Sequence, residues 1–341
     1  MTSSPFPPFR PHLFFRGGHA QTLAGAYLPS LALSYRAERR VVQLDDGDAL
    51  VLHDDCPASW RRSDRSALMI HGLAGCHESG YMQRIAHKLN ARGVRVFRMD
   101  LRGCGAGVSL ARLPYHSGRS EDATAALRAI AHALPDSPTT LIGFSLGANI
   151  TLKLLGELGA RTCANLDSAV AVCPPVNLAA CSRQISLASN RVYDRYFVKL
   201  LLEQLRARRR LVPHAPLGRL AKVPRTLWEL DDMFTAPVCG FGTADRYYAE
   251  ASSAPWIEHI ALPTLILASR DDPMIPPQAL AQAVCPACVE LRMTEHGGHL
   301  GFVGRAGVDA DRRWMDWRVV EWVTRLGVHG RLCEPIAESR R

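Results

Sequence analysis

The 341-residue sequence contains no apolar run approaching the roughly 18 residues that cross a bilayer. Its opening (MTSSPFPPFRPHLFFRGGHAQTL) lacks the continuous apolar stretch of about 7 to 15 residues found in a signal peptide, so a cytoplasmic protein without a transmembrane segment is expected. Cysteine is sparse too. Ten cysteines in a chain of this length are too dilute for a disulfide scaffold and read as free thiols packing as small hydrophobes. Cys285 and Cys288 form a CxxC, but no second CxxC or matched histidine pair completes a zinc site, and no metal is assigned. Lysine is scarcer still: 4 Lys stand against 37 Arg, so the formal net charge of +9 is carried by arginines spread along the whole chain. That spread, without any recognition motif, argues for coding bias and against nucleic-acid binding. Internal repeats and low-complexity tracts are absent as well.

What is present is a globular composition. With 47% hydrophobic and 21% charged residues and a mean hydropathy of -0.05, the chain can bury about three quarters of its unfolded surface. The proline-rich opening (Pro5, Pro7, Pro8, Pro11) reads as an extended arm over residues 1–38. RRVVQL (39–44) and ALVLH (49–53) flank the turn cluster Asp45-Asp46-Gly47-Asp48 and predict an early hairpin. Short apolar runs then recur at 67–70, 94–99, 139–144, 168–173, 264–269 and 289–293. Helix-period segments at 80–92, 119–134, 147–160 and 311–326 alternate with most of them. Such alternation means an α/β fold: a mostly parallel, twisted, eight-stranded sheet flanked by helices.

Some ninety residues separate the strand ending near Cys173 from the one starting at Thr264, far more than a crossover needs. The expected organisation is a first core part at 39–174, a helical cap insertion at 175–255, a second core part at 256–330 and a C-terminal tail at 331–341. The cap is expected over the C-terminal edge of the sheet, where ligands bind in doubly wound folds. Its densest charge, Arg206, Arg208, Arg209 and Arg210, reads as a solvated outer face that could aid approach to an anionic lipid surface.

The most informative string is Gly143-Phe144-Ser145-Leu146-Gly147, which follows a strand and opens a helix. This is the strand-turn-helix setting of a nucleophile elbow, with glycines relieving the sharp turn. A serine hydroxyl needs a base to take its proton and an acid to orient that base, in the chain order Ser, Asp or Glu, His. A carboxylate loop (SRDDPMIP, 269–276) and a histidine loop (EHGGHLG, 295–301) follow in that order, each after a strand. Asp272 is preferred over Asp271 and His299 over His296, although spacing settles neither choice. The backbone N–H groups of Leu146 and Leu73, the latter in His71-Gly72-Leu73-Ala74-Gly75, are the candidate oxyanion hole. His71 is expected to shape its loop without transferring protons.

These residues carry a resemblance. PFRPHLFFRGGHAQTL, HGLAGCHESGYM, RMDLRGCG, GFSLGAN, YDRYF, the Tyr247-Tyr248 pair, SRDDPMIP and EHGGHLGF together resemble the YheT-like branch of the α/β-hydrolase superfamily, related to the abhydrolase domain-containing lipid hydrolases. The resemblance implies a serine carboxylesterase with Ser145, Asp272 and His299 as triad, supporting both choices above. It implies no cofactor, and a small-molecule or lipid ester as substrate. Ala148 departs from the usual glycine, and His132 and Asp136 are one residue too close for the His-x4-Asp acyltransferase signature of some relatives. An N-terminal membrane anchor like that of animal relatives is not expected. Acyl transfer through the same triad and a silent binding protein of the same fold are the alternative readings, and nothing in the sequence fixes an oligomeric state.

Overall fold

The computed structural model describes residues 6–29, 36–216, 218 and 222–325; the proposed tail at 331–341 lies outside them. Eight strands form one sheet in the order β1-β2-β4-β3-β5-β6-β7-β8. They are β1 (Glu38–Gln43), β2 (Ala49–Asp55), β3 (Ser66–Ile70), β4 (Arg95–Asp100), β5 (Thr139–Phe144), β6 (Leu166–Val172), β7 (Thr264–Ser269) and β8 (Val289–Thr294). The β1–β2 hairpin is antiparallel and joins β4 antiparallel through β2; every pair from β4 to β8 is parallel.

The sheet divides its side chains by the period-two alternation of a strand. Leu68, Ile70, Leu141, Ala169, Ala171 and Ile266 enter one core, under α3 (Ser120–Ala133) and α4 (Leu146–Leu158). Ala67, Met69, Ile142, Phe144, Val170 and Leu265 enter a second core, under α2 (Gly80–Asn90) and α11 (Trp314–Arg325). On α2 the buried residues Met82, Ile85, Ala86 and Leu89 repeat at i, i+3, i+4, i+7, the stripe that one-sided burial demands. Strands β3, β5 and β7 are buried end to end because helices cover both faces, which is why they read as unbroken apolar runs.

Between β6 and β7 the chain is helical: α5 (Leu178–Ser186), the 21-residue α6 (Arg191–Leu211), α7 (Leu227–Leu230), α8 (Ala236–Val238) and α9 (Ala244–Ala251). The run from α7 to α8 continues through a π-helical turn at Asp231–Thr235. A third apolar cluster of Leu178, Ala236, Ala244, Tyr247, Tyr248 and Ala251 holds α5, α8 and α9 together. Asn149, on α4, ties them to the core. Its side chain donates to Ser117 O and Ala251 O (2.8 Å each) and accepts from Ser253 N (3.0 Å). A short helix, α10 (Gln278–Ala281), follows β7. No helix among the described residues is long and apolar enough to cross a membrane.

The opening of the chain corrects one expectation. Residues read as an extended arm contain α1 (Gly18–Tyr27), which packs on the loop after β8. Gln21, fully buried, donates to Val303 O (3.1 Å) and accepts from Val303 N (2.7 Å). The reason for the misreading is local: α1 has neither a side-chain cap nor an acid in its first turn. Its helicity comes from tertiary contacts.

Candidate active site

Ser145 sits between β5 and α4 with φ 51° and ψ −119°, a conformation costly for any residue with a Cβ. Two neighbours show why glycine flanks it. A Cβ at Gly143 would lie 2.3 Å from Gly147 O, and one at Gly147 would lie 2.4 Å from Ile70 O. The Ser145 N–H donates to Val172 O (2.8 Å), which fixes the turn to β6.

His299 brings the three candidates together. Its Nδ1 lies 2.8 Å from Asp272 Oδ2, and its Nε2 lies 2.8 Å from Ser145 Oγ. A carboxylate only accepts, so Nδ1 carries the proton and Nε2 is free to accept from the hydroxyl. The other oxygen of Asp272 accepts from Met274 N (2.9 Å) and Ile275 N (3.0 Å), which orients the carboxylate. The alternatives lie apart from this chain of bonds. Asp271 accepts from Gly298 N (2.9 Å) and meets the exposed His296 at 3.3 Å, so it braces the histidine loop from outside.

The loop after β3 passes against the serine, since a Cβ at Gly72 would sit 3.1 Å from Ser145 Cβ. Two tyrosines, Tyr81 half-buried and Tyr115 buried, occupy the N–H groups on either side of Leu73: Gly72 N–H donates to Tyr81 Oη and Ala74 N–H to Tyr115 Oη, both at 2.9 Å. No acceptor among the described residues takes the Leu73 N–H. Burial pushes the Tyr81 phenol up to about 12, so it stays a neutral acceptor. The Leu146 N–H opens α4 and has no intrahelical partner. His71 is buried, and burial holds it neutral. Its Nδ1 donates to Gly72 O (2.7 Å) and its Nε2 accepts from Leu101 N (3.2 Å), so it shapes the loop.

Several contributors escaped sequence reasoning. Thr22 of α1 accepts the His299 N–H (2.8 Å) across 277 residues of sequence. Tyr115 and Asn149 likewise act through partners 32 or more residues away, whereas Tyr81 acts on Gly72 only nine residues before it. Arg208 is a correction. Arg206, Arg209 and Arg210 are exposed, but Arg208 is only 4% exposed and lines the cavity. A signal was there. Asp194, Val198, Leu201, Leu205 and Arg208 follow a 4-3-4-3 spacing, which puts Arg208 on the inward stripe of α6.

Ser145, His299, Leu73 and Leu146 line a cavity of about 120 Å³. Its remaining wall is mostly apolar and includes Leu178, Ile185, Phe197, Leu201, Phe234 and Met274. A second buried polar group, His53, His77 and Asp100, lies elsewhere. Both imidazoles reach Asp100 at about 3 Å, while the N–H groups of His77 (2.7 Å) and Ala106 (2.8 Å) fill its remaining capacity. The two rings stack 3.4 Å apart at 8°, so their in-plane lone pairs run parallel and do not converge on a common metal. Cys285 and Cys288 are free thiols.

A mostly parallel sheet, a strained serine at the β5–α4 turn and a histidine after the last strand define the α/β-hydrolase class. The chain belongs to that family: the model described as alpha/beta hydrolase fold matches residues 68–306. It is 33% identical over 326 residues to YheT of Escherichia coli (strain K12), which is named as a candidate esterase, with 93% of each chain covered. It is 27% identical over 296 residues to the Homo sapiens phospholipase ABHD3, covering 84% of this chain and 71% of that one. Among solved structures, the Pyrococcus furiosus esterase Pf2001 superposes with a TM-score of 0.56 at 15% identity, covering 94% of this chain and 99% of that one.

Proposed function

We propose that the protein hydrolyses carboxylic esters through a Ser145–His299–Asp272 triad. The observation that carries this reading is the unbroken hydrogen-bond relay from Asp272 through His299 to Ser145 Oγ at the wall of an apolar cavity. The names of two relatives, a candidate esterase and a phospholipase, support the same reaction class. Ser145 Oγ attacks the ester carbonyl while His299 Nε2 takes its proton, and Asp272 stabilises the imidazolium that forms. The N–H groups of Leu73 and Leu146 receive the oxyanion. Collapse expels the alcohol with the proton from His299, and water repeats the sequence to free the acid.

The substrate class is short- to medium-chain acyl or lipid esters, with residues 175–255 as a cap whose apolar side chains set the acyl preference. A panel of p-nitrophenyl esters from acetyl to palmitoyl, with Ser145→Ala as the control, tests the reading. The Ala variant is expected to lose about 10⁴-fold or more. Retention of more than about a tenth of wild-type activity would rule out this triad.

A further inference from the structure

We propose that Arg208 forms an anion subsite in this cavity, so that the preferred ester carries a carboxylate or phosphate group besides the bond that is cleaved. The inference rests on the reading of the cavity as the ester site. Arg208 projects from the last turn of α6 into the cavity wall. Its terminal Nη2 donates to two backbone carbonyls, Ala111 O and Arg112 O, at 3.4 and 2.5 Å, and its buried Nε has no hydrogen-bond partner among the described residues. No carboxylate among the described residues lies within 4.0 Å of it. A buried guanidinium ordinarily has an acid beside it. Arg102 lines the same cavity but is engaged by Asp46, Asp48 and Asp122. Arg65 has Asp167, and Arg318 has Asp309 and Glu321. Arg313 also has no carboxylate partner among the described residues, yet it caps the C-terminal carbonyls of α1, where the helix dipole favours a cation.

The surroundings leave room for the guanidinium, and no carboxylate among the described residues pairs with it. A Cβ at Gly103 would lie 2.9 Å from both Cδ and Nε of Arg208, so glycine there lets the side chain lie flat on the backbone. His116 lines the cavity as a neutral ring, since burial holds it down to about 3. Asp231, the acid in the cavity wall, is bound by the Tyr248 hydroxyl (2.8 Å) and makes no ion pair with Arg208. Arginine presents fixed donors that suit carboxylate and phosphate oxygens, and a ligand anion would satisfy the group the protein leaves unpaired.

The test compares esters matched in length: 4-nitrophenyl hexanoate against mono-4-nitrophenyl adipate for a carboxylate on the acyl side, and 1-oleoylglycerol against 1-oleoylglycerol 3-phosphate for a phosphate on the alcohol side. Arg208→Gln is expected to lower kcat/KM at least about tenfold on one anionic ester and less than about threefold on its neutral partner. Arg208→Lys is expected to fall between, and the exposed Arg209→Gln to change neither. Which anionic ester responds identifies the group bound. Equal losses on neutral and anionic esters would make Arg208 a packing residue and overturn the proposal. Competition against the unaltered protein needs no variant: adipate is expected to inhibit hexanoate ester hydrolysis more strongly than hexanol, and no preference for either anionic ester together with no inhibition would overturn it. If no ester is turned over at all, the triad reading fails. Thermal shifts by adipate and glycerol 3-phosphate, present in the wild type and lost in Arg208→Gln, then decide the subsite separately.

Discussion

Burial pushes the Asp231 carboxyl up to about 6, against 3.8 for a free side chain, while hydrogen bonds from Thr235 and Tyr248 pull the other way. Between those two values the folded chain holds a proton that the unfolded chain releases. Stability therefore falls as pH rises through that window and is level above it. Asp231→Asn removes the titration, so it should stabilise the protein by roughly 1 to 3 kcal/mol at pH 8 and leave it little changed near pH 4. Thermal melts at the two pH values check this, and an equal shift at both would show that the carboxyl does not titrate as stated. Among the site residues, His299→Ala and Asp272→Asn should each cost at least about 10³-fold in kcat. His296→Ala and Asp271→Asn should stay within about tenfold, because His296 faces solvent and an amide still accepts from Gly298 N–H. A reversal of that contrast in single-turnover rates would move the base to His296. The strings that hold Ser145, Asp272 and His299 were legible from their turn chemistry, while the preference for Asp272 and His299 within them leaned on the family resemblance. The parts played by Thr22 and Tyr115 were not legible, because they exist only across contacts that no local string encodes.

At the scale of elements, the β5–α4 elbow depends on a close approach of backbones. Gly147→Ala puts a methyl group against the Ile70 carbonyl, and neither side of that contact is a movable side chain. Backbone must shift, at a cost of about 2 kcal/mol or more, and the displacement falls on Ser145 itself. A lower melting temperature with ester turnover reduced at least about tenfold is expected; a variant with wild-type values in both would show that α4 can move aside. Helix α6 shows how an element can be read correctly in outline and wrongly in orientation. Its place in a helical insertion was readable, but four arginines in five residues looked like one solvated face. A helix turns through about 100° per residue, so Arg206, Arg209 and Arg210 face water while Arg208 points inward. Helix α1 was missed because its own sequence carries no start signal, and its fold depends on a loop near the other end of the chain.

For the whole molecule, alternation of buried runs with helical segments was enough to give a parallel sheet with a leading hairpin. The strand order was not readable from that alternation, because β2, β4 and β3 neighbour one another through registers set by long-range packing. Deletion of residues 1–35 should leave the sheet and its circular-dichroism signature intact while ester hydrolysis falls by about 10²-fold or more. The eight strands lie wholly in the remaining chain, whereas the brace on the His299 backbone does not. Activity equal to wild type would show that the histidine loop holds its geometry unaided. The Thr22–His299 bond also has a temporal meaning. The helix that braces the site is synthesised 277 residues before its landing place, so this contact closes a very long loop. Closure at that separation is slow relative to local structure, which makes catalytic competence a late event in folding. A refolding experiment that follows far-ultraviolet ellipticity and ester turnover together should see secondary structure return before activity does.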